Sequence, residues 1–274
     1  MTERVGRSAP LNPLHWFPEF WQLGRRCLRP QARLLGWSLG VGVIAGLGAV
    51  VFYLAMRTVF HLALERIVGY HPGGPANEPP LDMLLPPSDT PFRWWMLLIV
   101  PAVGGLVSGW LVYTFAPEAE GHGTDSAIAA YHFKGGAIRP RVPLVKIVAS
   151  AVTLGTGGSG GREGPIAQIG AGFGSWLGGI LRLRPAERRL LMAAGMGAGI
   201  AAIFRAPLAG ALFAAEVLYR SPDFESEVVI PAALACITAY CTFGMVFSHW
   251  TGVGWKPLFD MPAGPESSPL SQLR

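Results

Sequence analysis

The residues Gly161-Arg162-Glu163-Gly164-Pro165 place two opposite charges inside a long apolar, glycine-dense stretch. At the centre of a membrane helix each such charge costs about 2.5–3.5 kcal/mol on insertion scales, so an intramembrane role is the first reading. The local order has a mechanism of its own. Proline suits the first position of a helix, where its missing N–H costs nothing, and the spacing predicts a helix over 165–181. A helix N-terminus carries free N–H groups and the positive end of the dipole, which together attract an anion. Glu163, just before that terminus, puts a carboxylate where an anion would otherwise sit. This is the chemistry of an anion path that carries its own plug.

The elements that must position these residues are membrane helices. Of the 274 residues, 51% are hydrophobic and 14% charged, against about 25% charged in ordinary soluble domains; the mean hydropathy is +0.38. The formal net charge of +5 does not mark a nucleic-acid partner, because there is no basic stripe and no reader motif. Basic residues instead gather at the ends of apolar segments: Arg4, Arg7, Arg25, Arg26, Arg29 and Arg33 precede the first one. That pattern sets the N-terminus in the cytoplasm of a multi-pass protein of the plasma (inner) membrane. The first residues lack an apolar core followed by a cleavage site, so no signal peptide is read. Trp16, Phe17, Phe20 and Trp21 form either an interfacial amphipathic segment or an aromatic belt. Cys27, Cys236 and Cys241 lack metal-ligand spacing, and the last two read as small core residues. Neither a metal nor a cofactor is expected.

Along the chain, 1–33 reads as a cytoplasmic N-terminal segment, 34–250 as a transmembrane domain and 251–274 as a polar tail. Spans are expected over 34–60 and 92–115, separated by a proline-rich extracytoplasmic loop over 69–91. A polar turn at 118–125 leads into a short helix ending near Phe133, and Lys134, Arg139, Arg141 and Lys146 mark the return to the cytoplasmic side. Apolar helices follow over 143–154, 165–181, 186–203, 207–219 and 228–249. Several fall short of the roughly 20 residues that cross a bilayer. Short, Gly/Pro-interrupted segments are the mark of broken helices that meet around an ion or substrate site at mid-membrane.

Other motifs read as accidents of a glycine-rich chain. Residues 155–160 match G-x-G-x-x-G without a preceding strand or an acidic partner, and Arg162-Glu163 stands where a phosphate-binding loop needs Lys-Ser/Thr. Residues 157–161 match the G-x-S-x-G of serine hydrolases, which would need Ser159 to meet His249. Nothing in the sequence ties the two, so no enzyme is expected. The spacings Gly36/Gly40, Gly42/Gly46, Gly170/Gly174 and Gly195/Gly199 read as close helix packing.

Three segments together carry more. The stretch 161–170, GREGPIAQIG, resembles the signature of the CLC family of chloride channels and chloride/proton antiporters. The stretch 199–213, GIAAIFRAPLAGALF, is similar to that family's next block, at the expected distance. Gly121-His122-Gly123-Thr124-Asp125 falls where the family places its G-S-G-I-P loop. The resemblance covers most of 34–250. It implies an all-α integral membrane fold of tilted and broken helices, built as two halves of inverted topology. It also implies a dimer with one anion path per subunit, among membrane lipid, and chloride or a similar anion as cargo. Glu163 would be the gate, plugging the anion site when ionised and swinging away when protonated. The backbone of Arg162, Glu163 and Gly164 and the helix start at Pro165 and Ile166 would bind the anion. Arg162 would either shape the field or pair with a nearby carbonyl.

The pattern departs from the family in three places. His122 replaces the anion-coordinating serine. The imidazole, the Thr124 hydroxyl or the backbone around Gly123 could serve instead. Val217, directly after Glu216, stands where antiporters of the family commonly carry an internal proton glutamate, as it does in many channel-type members. Finally, the 274 residues hold only the family's first half, without its G-x-F-x-P motif or its tyrosine. The expectation is therefore glutamate-gated chloride transport of the channel type. The alternatives are an antiporter with another proton route, and a non-conducting half that serves as partner to a complementary half.

Overall fold

The computed structural model describes residues 16–71, 88–218, 226–251 and Trp255. Residues 1–15, most of the 69–91 loop and most of the tail lie outside the described residues, as do the side chains of Cys27 and the aromatic cluster at 16–21. Every regular element among the described residues is helical.

Helix α1 spans Trp16–Phe60 and runs on through a wider, π-type segment, His61–Val68. It starts well before position 34, where the span was expected. Hydropathy marks where the apolar solvent begins, whereas the Arg, Gln and Leu residues upstream are good helix formers in water as well. Gly69 ends the segment in the left-handed region, φ +73°, which a glycine adopts without strain. Helix α2, Met96–Phe115, returns. Its Leu98, Leu106 and Trp110 are 73%, 75% and 62% exposed, so this face is built for lipid or another protein surface rather than this chain's core. The segments Ala32–Val68, Met96–Phe115 and Glu227–His249 are long and apolar enough to cross a membrane. The protein is a membrane protein.

Between the second and third of these lie the shorter elements: α3 (Thr124–Phe133), α4 (Arg141–Gly155), α5 (Glu163–Ile180), α6 (Pro185–Phe204) and α7 (Pro207–Glu216), followed by α8 (Ser226–Thr251). Helices α3 and α7 have 10 residues each, a length of about 15 Å at 1.5 Å per residue. That is half of the roughly 30 Å hydrocarbon layer, so these helices end inside the protein.

Small residues let the helices touch backbone to backbone. A methyl group at Gly170 would overlap the Gly195 carbonyl, one at Gly174 would meet the Leu191 carbonyl, and one at Gly199 would stand 2.6 Å from the Ile166 carbonyl oxygen. Helices α5 and α6 therefore cross at glycine distance, as the spacings Gly170/Gly174 and Gly195/Gly199 predict. Gly42 and Gly46 do the same for α1 against α8, meeting the carbonyls of Ala235 and Ala239 at 2.5 and 2.9 Å. Gly36/Gly40 does not. Gly36 has nothing within 4 Å of a side-chain position, and Gly40 meets only the tip of Leu177 at 3.7 Å. The core between α1, α6 and α8 is closed by Tyr53, Phe243 and Phe247, with Tyr53 edge-on to both phenylalanines. Cys236 is buried there and Cys241 half-buried.

Candidate functional site

Helix α5 opens at Glu163, two residues before the expected start. Arg162 already has near-helical dihedrals (φ −81°, ψ −16°), and a proline is tolerated in the first turn, where its position would have no intrahelical acceptor in any case. The earlier start changes which groups can face an anion. The Ile166 N–H donates to the Arg162 carbonyl at 3.1 Å, and Pro165 has no N–H at all. Of the expected binding backbone, Pro165 and Ile166 are thus scaffold, and the first turn leaves the N–H groups of Glu163 and Gly164. Ile166 is fully buried and turned toward α6.

The 121–123 loop lies directly on that first turn. Gly121 and Gly123 take φ +68° and +104°, which side-chain-bearing residues rarely adopt. Gly123 caps α3, so Thr124 is the helix's first residue and Asp125 lies in its first turn. A methyl group at Gly164 would collide with His122 Nδ1 and with the His122 carbonyl, and one at Gly123 would stand 2.8 Å from Gln168 Oε1 and 3.1 Å from the Gly164 carbonyl oxygen. The N-termini of α3 and α5 are therefore neighbours, with the exposed His122 between them. Two positive dipole ends meet at one place, each with an acidic residue in its first turn.

Two buried polar side chains hold the loop in place. Lys146, in the middle of α4, donates to the carbonyls of Ala119 at 2.9 Å and Gly121 at 2.7 Å. Gln168, on α5, donates through Nε2 to the Glu118 carbonyl at 2.7 Å and to the Ser126 hydroxyl. Arg139, beyond the end of α3, pairs with the Glu118 carboxylate, and its guanidinium holds the Glu118 carboxyl below the usual carboxylate range. Lys146 was read above as one of several markers of the cytoplasmic side. It is instead a buried ammonium that pins the loop, and the signal was visible: it is the one charge inside the run Val142–Ser150, where an intramembrane charge reads as functional.

The Glu163 side chain folds back over Gly161, filling the space where a side chain at 161 would stand. Gly160, Gly161 and Pro165 form one wall of a cavity of about 390 Å³, which also takes in His122, Lys146 and the α2–α4 hydroxyl pair Ser108 and Thr153. These hydroxyls are bonded to each other at 2.7 Å. Ser159 lines the same cavity, but no residue of α8 does, so the structure does not bring His249 to it. Glu216 ends α7 and is exposed, and Val217 follows it as the cap.

A membrane bundle of spanning and half-length helices, with two helix N-termini meeting beside a lone carboxylate, has the make-up of an anion-transport protein. Residues 104–273 match the family model described as voltage gated chloride channel. The chain belongs to this CLC family. It is 33% identical over 237 residues to the H(+)/Cl(-) exchange transporter ClcA of Salmonella arizonae, covering 84% of this chain and 45% of that protein. It is 33% identical over 171 residues to the chloride channel protein CLC-e of Arabidopsis thaliana, covering 62% of this chain and 23% of that protein. Among solved structures it resembles a slow cyanobacterial Cl-/H+ antiporter, with a TM-score of 0.61 at 27% identity over 78% of this chain and 47% of the other. It resembles a CLC-type fluoride/proton antiporter with a TM-score of 0.61 at 26% identity, over 79% and 47% of the two chains. The chain spans less than half the length of these relatives.

Proposed function

We propose that the protein moves chloride or a similar anion across the membrane, past the paired N-termini of α3 and α5, with the Glu163 carboxylate as gate. The observation that carries this reading is the position of that carboxylate. It sits at the first turn of α5, folded over Gly161 into the cavity beside His122. Ionised, it occupies the place an anion would take at the dipole ends; protonated, it has no charge to hold it there. The N–H groups of Glu163 and Gly164 and the Thr124 end of α3 supply donors, and the His122 imidazole adds a further one in either tautomer or when protonated.

The finer reading is passive, gated conduction, with the N-terminus on the cytoplasmic side of the inner membrane. Val217 in place of an internal carboxylate supports conduction, and the cationic 134–141 turn and Arg182, Arg184, Arg188 and Arg189 on the α5–α6 side support the orientation. The apolar outer face of α2 and the open side of the cavity are assigned to a covering protein surface, a complementary half or a second copy. Proton-coupled exchange is the second reading, and one observation favours it: another carboxylate, Glu120, lines the same cavity.

The test is chloride efflux from liposomes holding the intact protein that carries this chain. Glu163→Gln imitates the protonated gate, so efflux at neutral pH rises and loses its pH dependence. An unchanged pH profile removes Glu163 from the gate. In the same liposomes, an imposed chloride gradient drives no uphill proton movement if conduction is right, and uphill pumping replaces it with exchange.

A further inference from the structure

We infer that Glu120 is the group through which protons from solution reach the Glu163 gate, by way of the cavity that both carboxylates adjoin. The inference rests on the gating role proposed for Glu163 and adds to it a proton entry point.

Four observations carry it. Glu120 lines the cavity on one side while Gly160 and Gly161, over which the Glu163 carboxylate folds, line it on the other. At about 390 Å³ the space is wide enough for several waters. Its walls between the two acids are polar, with Ser108 and Thr153 already joined by a hydrogen bond and Ser150 and Ser159 beside them. Glu120 itself is exposed, so it can exchange protons with water, and it is held in position because Tyr113 donates to its Oε1 at 2.7 Å. The backbone on both sides of it is fixed as well, by the Lys146 ammonium on the Ala119 and Gly121 carbonyls.

The titratable groups along this cavity are Tyr113 from α2, Lys146 from α4, and Glu120 and His122 from the loop; the 159–161 wall brings only the Glu163 carboxylate. Lys146 is committed to two carbonyls and carries no spare proton at neutral pH without losing its charge. His122 stands at the α5 end of the cavity, packed on Gly164, where it favours an anion. Glu118, two residues before Glu120, is engaged by Arg139. Glu120 is therefore the carboxylate placed for exchange. A hydronium ion on the face that carries Lys134 and Arg139 gives its proton to the Glu120 carboxylate. The proton passes through the cavity water to the Glu163 carboxylate, which becomes neutral, and Glu120 returns to its charged form. The reverse sequence closes the gate.

A relay changes how fast, and from which side, the gate is protonated, and not its equilibrium. The experiment therefore uses pH jumps. The intact protein in liposomes is given an acid jump on one side at a time, and the onset of chloride efflux is followed by stopped flow. The parent responds to a jump on the Glu120 side. In Glu120→Gln that response slows by about tenfold or more, since a positioned acid–base group contributes about 10²–10⁴ to proton transfer. Efflux at acidic pH on both sides stays within about twofold of the parent, and Glu120→Asp restores most of the speed. A Glu120→Gln protein that answers the jump as fast as the parent overturns the inference while the gate reading stands. A parent whose efflux Glu163→Gln leaves unaltered at every pH overturns the gate reading and the inference together. If Glu120→Gln does not fold, Tyr113→Phe decides. Losing the phenol's hydrogen bond to the carboxylate raises the pH at which Glu120 accepts a proton, so the response to Glu120-side acid moves to higher pH; no movement overturns the inference.

Discussion

Adding one methyl group at Gly164 tests whether the loop and the helix form one site. In Gly164→Ala the new carbon would fall on His122: it overlaps Nδ1 and the carbonyl oxygen, with Cε1 at 2.6 Å. Carbon contacts are comfortable at about 3.5–4.0 Å, so loop and helix must part by roughly 1 Å or more. The imidazole tip can swing away, but the carbonyl is backbone, fixed by Lys146 on one side and by the α3 cap on the other. Overpacking of this kind costs about 1–3 kcal/mol. In a chain of this size that corresponds to a fall in Tm of about 2–4 °C per kcal/mol. Separating the two N-termini also weakens the place where an anion is held, and a shift of about 1 Å in a positioned site costs up to about a hundredfold in rate. Gly36→Ala is the control. Nothing lies within 4 Å of its side-chain position, so better helix propensity should stabilise by about 0.5–1 kcal/mol. The assays are thermal unfolding in detergent and chloride efflux from liposomes. If Gly164→Ala matches Gly36→Ala in both, the loop does not rest on α5 as described and the paired-terminus reasoning fails.

Two further substitutions separate stability from gating. In Gly161→Ala the methyl meets only the far end of the flexible Glu163 side chain, so Tm should hold while the carboxylate is pushed out of the cavity and efflux at neutral pH rises; a fall in efflux would mean that the folded-back position is the open one. Arg139→Gln should raise the Glu118 carboxyl toward its ordinary value, because the guanidinium is what holds it down. A depressed carboxyl stabilises above the unfolded value, about 4.3 for Glu, and the gain is lost as pH falls through the folded value. Both side chains are more than a third exposed, 47% for Arg139 and 36% for Glu118, so screening limits the pair to about 0.5 kcal/mol. Unfolding at neutral pH in the presence of salt should shift by no more than about 2 °C, and a larger loss would show that the pair anchors the loop more firmly than Lys146 and Gln168 leave room for.

Much of this site was legible in the chain because its requirements are local. A charged pair before a proline in an apolar run marks a helix terminus in membrane, and the glycine spacings 170/174 and 195/199 are a crossing. The rest depended on what lay opposite. Gly36/Gly40 has the same spacing as those crossings yet faces open space, because spacing fixes a helix face but not its partner. The start of α5 at Glu163 follows from the Arg162 backbone, which a proline rule cannot see, and that start removed Ile166 from the donors. Lys146 was hidden by its neighbours: Arg139 and Arg141 are exposed charges at an element end, and a third cation nearby reads as one more. Glu120 is informative only once α2 brings Tyr113 to it.

The glycine crossing between α5 and α6 has a mechanical consequence. Where two backbones rest on each other with no side chains between them, neither helix can slide or turn without first lifting off, because the next residue along would meet the opposite carbonyl. Gly197 and Gly210 repeat the arrangement between α6 and α7, each 2.5–2.6 Å from the other's carbonyl oxygen at a side-chain position. Helix α5, and with it the dipole end at Glu163, is thus locked into a three-helix frame with little travel. What remains free to move at the gate is one side chain. Rotamer changes of exposed side chains take picoseconds to nanoseconds, whereas collective helix shifts take microseconds to milliseconds. A gate built this way moves quickly once its proton arrives, so its pace is set by proton delivery rather than by the bending of the protein.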